Sequence, residues 1–463
     1  MMDFVDDCLF HVLTPTISVL QIRVEPFEEY MVVDDRPSFP MNFFLRLKFT
    51  GCLDRSALGQ ATWLVMDRHP FLTSLVRATN KQRPTWVNVN PVADPISWNE
   101  GDGTKFPSVQ RLDIMETAGF CLHVLVGQDS SELILQLHHA CCDGIGAYQI
   151  ASELLVSYSA FLAGEDAPTK MPSLDLARLS RRTRFGMTAW KWIKSAPLQL
   201  TGLVGVWGFL LRNPIPLLPH EPVLSDAKVH SAYPASVTHS FDRESTEAIQ
   251  TACRQQDIAV NDLLARDLFL AIDDFRSRSD VLPSNEHVRL NIPVNMRNPE
   301  DSCLPATNIM SFVFLDRRPS DCGDKKSLLK SIHDEMECIK RRNLGLTFLM
   351  SLRMVRLLPG GLARMARKVK CESTAVLSNI GRTFEDCPLP RQDGKIIAGN
   401  VILKETFCLS PFRPYTCIAI AVTTYSGRMM LALHYDSSVL QADQARDLID
   451  TYTRFLRESF ETA

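Results

Sequence analysis

Two histidines stand side by side at His138 and His139, and Asp143 and Gly144 follow at a fixed distance. A neutral imidazole is the natural general base near pH 7, able to take the proton of a hydroxyl or amine as it attacks an electrophile. An aspartate four residues on can cap a helix or hold the local geometry, and a glycine beside it lets the backbone pass close to a ligand. Two other chemistries compete at the same turn. Cys141 or Cys142 with a neighbouring histidine could form a nucleophile pair, although a tight turn is a poor place for in-line activation. His139, Cys142 and Asp143 could ligate a metal, but no second ligand cluster with zinc-like spacing occurs elsewhere, so no metal is expected. There is no P-loop and no Gly-x-Ser-x-Gly elbow, and Gly144-Ile145-Gly146 lacks the third glycine of a dinucleotide fingerprint.

The elements around the motif are legible. Leu133-Ile134-Leu135-Gln136-Leu137 has the composition and length of a strand. After the turn, Ala147, Ala151, Leu154, Leu155, Tyr158 and Leu162 recur at three- and four-residue steps, giving a helix with one apolar face. The histidines therefore sit where a strand ends and a helix begins, held from both sides. Strand alternation places His139 with Leu133, Leu135 and Leu137 and His138 with Ile134 and Gln136, so one ring should face a cavity and the other support the turn. For either histidine alone, a satisfied buried side chain would be the better reading.

The chain has 463 residues, enough for two ordinary domains or one large two-lobed one. With 45% hydrophobic and 22% charged residues it is globular in composition, and a net charge of −3 supplies no field to recruit nucleic acid. Thirteen cysteines without a Cys-x-x-Cys pair point to a reducing cytosol. Asp3, Asp6 and Asp7 stand where a signal peptide would carry basic residues.

Four segments follow: a lead-in over 1–24, a first lobe over 25–165 with the histidine motif, a connector over 166–227 and a second lobe over 228–463. Phe43 to Phe49 alternates as a half-buried strand should, and a helix follows from Leu53 to Met66 with Asp54 in the capping position. His239-Ser240-Phe241-Asp242-Arg243 repeats that grammar at the start of the second lobe, as either a duplicated unit or a coincidence of common aspartate caps. Between Ala177 and His220 there is no acidic residue, while Arg178, Arg181, Arg182, Arg184, Lys191, Lys194 and Arg212 alternate with Phe185, Trp190, Trp192, Trp207 and Phe209. Such a stretch, 178–212, could lie on an anionic membrane surface or pack as a connector between the lobes.

Taken together, these residues resemble the HHxxxDG acyltransferase superfamily, which includes nonribosomal peptide synthetase condensation domains, wax ester synthases and alcohol acetyltransferases. The resemblance runs over nearly the whole chain from about residue 28. Arg68-His69-Pro70-Phe71-Leu72, Val260-Asn261-Asp262, Pro293-Val294-Asn295-Met296-Arg297 and Ser378-Asn379-Ile380-Gly381 are similar to its secondary motifs. It implies an α/β fold of two chloramphenicol-acetyltransferase-like lobes, a pseudo-dimer with a tunnel between them. His139 would be the base, with His138 beside it. Asp143 would be structural and bonded to Arg297, Gly144 would leave room for the acyl donor, and Ser378 and Asn379 would approach the reacting centre from the second lobe. No permanent cofactor is implied. The co-substrate would be an acyl-CoA or a phosphopantetheinyl thioester on a carrier protein, and the acceptor a hydroxyl on a lipid-like molecule. Amide formation from carrier-bound groups, or a non-catalytic acyl-binding scaffold, are the alternatives. The wax ester Pro-Leu-Trp element is not evident, and Asn308 follows Thr307 where that branch has glycine.

Overall fold

The computed structural model describes residues 21–79, 82–89, 93–100, 106–166, 168–184, 212–222, 233–279 and 286–461. A seven-stranded sheet and a six-stranded sheet carry the architecture, and a three-stranded sheet lies beside them. In spatial order the seven-stranded sheet runs Arg391–Gln392, Lys395–Ala398, Val401–Leu409, Asn42–Thr50, Ser130–His138, Phe120–Val126 and Ile96–Glu100. The six-stranded sheet runs Met310–Arg317, Val288–Asn295, Ala375–Arg382, Ile418–Tyr425, Arg428–Tyr435 and Ser236–Ser240.

Half of each sheet has one plan. In the first lobe, Asn42–Thr50 pairs antiparallel with Ser130–His138, which pairs antiparallel with Phe120–Val126, which pairs parallel with Ile96–Glu100. In the second, Ser236–Ser240, Arg428–Tyr435, Ile418–Tyr425 and Ala375–Arg382 pair in the same order with the same directions. Both first strands lead into an aspartate-capped helix. Asp54 accepts from the Ala57 N–H at 2.8 Å ahead of Arg55–Arg68, and Asp242 accepts from the Ser245 N–H at 2.8 Å ahead of Arg243–Gln255. The repeated unit is structural, not a coincidence of caps.

Three features of the fold differ from the sequence reading. The strands do not follow the segment boundaries, because Val401–Leu409, far along the second segment, pairs antiparallel with Asn42–Thr50 and completes the first sheet. The strand Asn42–Thr50 is buried on both faces. Phe43, Leu45, Leu47 and Phe49 pack under the helices, while Phe44 on the other face packs with Ile134, Phe407, Met430 and Ala432, where the two sheets meet. The end of the lead-in belongs to the fold: Gln21–Arg23 pairs with Gln82–Asn88, and Ile22 and Val24 are buried.

Of the connector, 185–211 and its aromatic residues lie outside the described residues. Within the described part, Arg182 is buried and donates to both carboxylate oxygens of Glu28 at 2.7 and 2.6 Å. It is therefore not available to a membrane surface as the sequence reading supposed, since a guanidinium already paired in the interior cannot also face lipid headgroups. No helix among the described residues is long and apolar enough to cross a membrane.

Candidate active site

The strand Ser130–His138 hands its chain to the helix Gly144–Leu162 through a short turn, and that turn faces the second lobe. The two histidines separate there. His138 is fully buried; its Nδ1 accepts from the Ala140 N–H at 3.1 Å and its Nε2 lies 3.7 Å from Asp35. Asp35 also accepts from the Arg111 guanidinium at 2.6 Å and from the Met41 N–H at 2.8 Å. Contact with His138 and Arg111 holds the Asp35 carboxyl below the usual carboxylate range against the opposing effect of burial. His138 thus supports the turn.

His139 turns the other way. Its backbone N–H donates to the Met41 carbonyl at 2.7 Å, and its carbonyl accepts from Asn308 Nδ2 at 2.7 Å. The ring, 5.0 Å from the Phe43 ring, lines a cavity of about 130 Å³ walled by both lobes. Its Nδ1 is buried without a partner, so the Nε2 edge is the one the cavity meets. Burial pulls the His139 imidazole below the ordinary histidine value, partly opposed by nearby backbone carbonyls and the Asp143 charge. The ring is therefore neutral near pH 7, with an available lone pair.

Asp143 is the structural hinge of the site. It caps the helix by accepting from the Gly146 N–H at 2.9 Å, takes a further bond from the Ile309 N–H at 2.9 Å, and receives Arg297 on both oxygens at 2.7 and 2.9 Å. Arg297 also donates to the Thr307 carbonyl at 2.9 Å. The guanidinium keeps the Asp143 carboxyl below its usual range although burial opposes it. Gly144 faces the second lobe closely: a Cβ added there would come within 3.1 Å of Ile380.

Ser378 and Asn379 line the same cavity from the second sheet. Asn379 is tied to its own lobe, donating to Asn261 Oδ1 at 2.6 Å and accepting from the Gly381 N–H at 2.9 Å. The Ser378 hydroxyl has no protein partner among the described residues. Asp262 accepts from the Ala259 N–H and pairs with His333 at 2.8 Å, away from the cavity. His69 of the Arg68-His69-Pro70 turn is also structural: it accepts from the Ala306 N–H at 2.9 Å and lies 3.3 Å from Glu153.

The rival chemistries lose ground here. Cys141 and Cys142 are fully buried, and burial pushes both thiols well up, the reverse of what a nucleophile needs. Among the described residues no group of three or more His, Cys, Asp or Glu side chains could hold a metal ion. Sequence reasoning missed Asp35, Arg111 and Asn308. Asn308 alone left a trace, as the residue where the wax ester pattern broke.

No family model matches the sequence, and no curated protein matches it. Solved structures do match its fold. The first condensation domain of the calcium-dependent antibiotic synthetase superposes with a TM-score of 0.67 at 13% identity, over 95% of this chain and 96% of that one. The epimerization domain of the third module of tyrocidine synthetase B gives 0.65 at 14%, over 96% and 97%. Polyketide synthase associated protein 5 from Mycobacterium tuberculosis gives 0.61 at 15%, over 96% and 100%. The chain thus has the two-lobed fold of condensation and epimerization domains over 95–96% of its length. That fold hosts more than one reaction, so the function has to be argued from the site.

Proposed function

We propose that this protein is an acyltransferase moving an acyl group from a CoA or carrier-protein thioester to a hydroxyl acceptor, with His139 as general base and no acyl-enzyme. One observation carries the reading: an imidazole, its Nδ1 turned inward, lines a cavity walled by both lobes while its backbone is bonded on both sides. In the proposed step, the acceptor hydroxyl gives its proton to Nε2 as its oxygen attacks the thioester carbonyl. The carbonyl oxygen gains the negative charge, with the Ser378 hydroxyl as the donor on hand in the cavity. Collapse of that adduct breaks the carbon–sulfur bond, and the departing thiolate takes the proton back from the imidazolium. The Asp143 charge favours the protonated ring, which lowers the cost of this transient state. Asp143 itself, held by four donors, positions the turn and stays out of the proton transfer. Gly144, on this reading, keeps the passage beside the thioester open.

Phe43, Met41, Val376, Phe312 and Phe412 line much of the cavity, which favours a lipid-like acceptor or a long acyl chain. The acid-free sequence over 178–212 supports a working position in the cytosol against an anionic membrane, with the exposed Arg181 as a contact in place of Arg182. The second reading, amide formation from carrier-bound groups, is favoured by the likeness to a starter condensation domain variant of rhizomide synthetase solved with C8-CoA and Leu-SNAC, at TM-score 0.64 and 14% identity.

Release of free thiol from acyl-CoA and from acylated carrier protein, each with a panel of alcohols and amines, tests these readings. Ester formation with thiol release from CoA donors is the expected result. Turnover confined to carrier donors and amines would replace it with the condensation reading. A folded protein that binds acyl-CoA and releases no thiol with any pair would leave only an acyl-binding scaffold.

A further inference from the structure

Exposed aliphatic side chains gather at one place on the surface. Of the seven large apolar residues that stand exposed among the described residues, four fall between Met354 and Val369, with Met354, Leu357 and Leu358 at 65%, 66% and 57% exposure. A single exposed leucine is ordinary, whereas a cluster rimmed by polar groups marks a contact site. The sequence here carries no acid: between Glu337 and Glu372 there is no Asp or Glu, in a chain whose net charge is −3. Arg364, Arg367 and Lys368 are exposed in the same stretch, and none of them pairs with a carboxylate among the described residues.

Local structure explains why these side chains stand out. The helix Gly345–Arg356 buries Leu346, Leu349 and Leu352, and the helix Gly361–Ala366 buries Leu362 and Ala366. The chain must reverse between them over 357–360. Gly360 takes the left-handed conformation that the reversal needs, and a Cβ on Gly361 would run into the Val355 carbonyl. The helices therefore close tightly and their connection projects, with Arg364 about one helical turn beyond it and Arg367 a turn further. The same two helices back the proposed active-site cavity. Arg413, which lines it, donates to the Ala366 carbonyl at 2.7 Å, and Phe312, which also lines it, meets the Phe348 ring at 5.5 Å. The described end of the connector arrives here too, its Thr183 carbonyl accepting from Arg353 at 3.1 Å.

We infer that the face formed by Met354, Leu357, Leu358, Arg364, Arg367 and Lys368 docks on an anionic lipid bilayer. The aliphatic side chains enter the headgroup region, while the guanidinium and ammonium groups, on long flexible stems, meet the lipid phosphates. A protein partner fits less well. Protein interfaces are anchored by aromatic side chains and complement charges of both signs. Between Glu337 and Glu372 there is no acid, and the one aromatic residue, Phe348, packs against the cavity wall. Docking by this face sets the backing of the cavity against the membrane, where a lipid-like acceptor resides. The inference deepens the lipid-like reading above and rests on it for that purpose, while the docking itself is read without turnover.

Sedimentation of the full chain with phosphatidylcholine vesicles, with and without phosphatidylserine, tests this. Wild type should bind the phosphatidylserine vesicles and leave the others largely unbound. Arg364→Gln, Arg367→Gln and Lys368→Gln together should weaken that binding about a hundredfold, at about fivefold for each charge. Met354→Ser, Leu357→Ser and Leu358→Ser together should weaken it about tenfold through lost apolar burial. All six side chains are exposed, so both variants should melt like wild type. Failure of wild type to bind phosphatidylserine vesicles, or equal binding by wild type and both variants, would overturn the inference. So would capture of an acidic acyl carrier protein that the charge variant loses while its vesicle binding stays intact, which assigns the face to a protein. Vesicle binding that the variants lose, in a protein that transfers no acyl group, would refute the proposed reaction and leave this inference standing. Transfer to a water-soluble alcohol by a protein that ignores vesicles would do the reverse.

Discussion

The two lobes end their central hairpins in corresponding turns, and the first of these turns lines the cavity between the lobes. His138 pairs with Asn42 and His434 with Ser236 at equivalent places in the two sheets. The next residue, His139 or Tyr435, donates its N–H to the residue just before the first strand, Met41 or Ala235, at 2.7 and 3.0 Å. From there the turns diverge. His139 lines the inter-lobe cavity, whereas Tyr435 packs into the second lobe's core. Asp143 reaches across to Arg297, while Asp436 stays local and caps Ser438 at 2.9 Å. His138 Nε2 lies 3.7 Å from the Asp35 carboxylate, whereas His434 donates to the Ser410 carbonyl at 2.7 Å and keeps a buried, unpartnered Nε2. A repeated scaffold therefore does not confer a repeated site. The first turn is the candidate site because an arginine from the other lobe fixes it and because its second histidine faces open volume.

Breaking that arginine contact should give the largest change in stability. Asp143→Ala leaves Arg297 facing an emptied pocket and should cost about 3–5 kcal/mol in chemical denaturation, against about 1 kcal/mol for Asp436→Ala, which loses only a local cap. Comparable losses at the two sites would erase the distinction between the turns. The stabilisation from Asp143 has a definite pH window. Its folded carboxyl titrates below the unfolded one, so the contribution is complete above about pH 4 and declines as pH falls through the folded value.

His434 sharpens the comparison from the second lobe. Burial lowers its pKa to about 4, so between the ordinary histidine value and that point the unfolded chain takes up a proton the folded chain refuses. Stability should decline by something on the order of 3 kcal/mol as pH drops across that window, and His434→Phe should flatten the decline in pH-dependent melts. An unchanged pH profile in His434→Phe would show that this histidine is not held neutral. A smaller effect tests the lobe contact: Gly144→Ala pushes a methyl against Ile380 and should cost about 1–3 kcal/mol. A variant as stable as wild type would mean that the lobes yield freely at this point.

What could be read from the sequence depended on the range over which each signal acts. The strand, the turn and the helix around His139 were legible because apolar period and aspartate capping are local. The Asp54 and Asp242 units were legible for the same reason, and they mark the two lobes correctly. The pairing of Val401–Leu409 with Asn42–Thr50 was not, since alternation names the faces of a strand and never its neighbour. The contact between Asp143 and Arg297, 154 residues apart in the chain, came only through resemblance to a family. Asp35 and Arg111 carry no local signature at all, and Asn308 showed only as a departure from a family pattern; each matters because folding brings it to the turn. Asn291 gives a subtler case. Period two puts it opposite the core, which reads as solvent, yet the second lobe stands against a first lobe there and the face lines a cavity.

The proposed reaction depends on the His139 imidazole acting as the base. Thiol release by His139→Ala, with the melting temperature taken on the same sample, measures this directly. The rate should fall by roughly two to four orders of magnitude at an unaltered melting temperature, because the side chain lines open volume and makes no hydrogen bond that the fold needs. Turnover near the wild-type rate in a folded His139→Ala would contradict it.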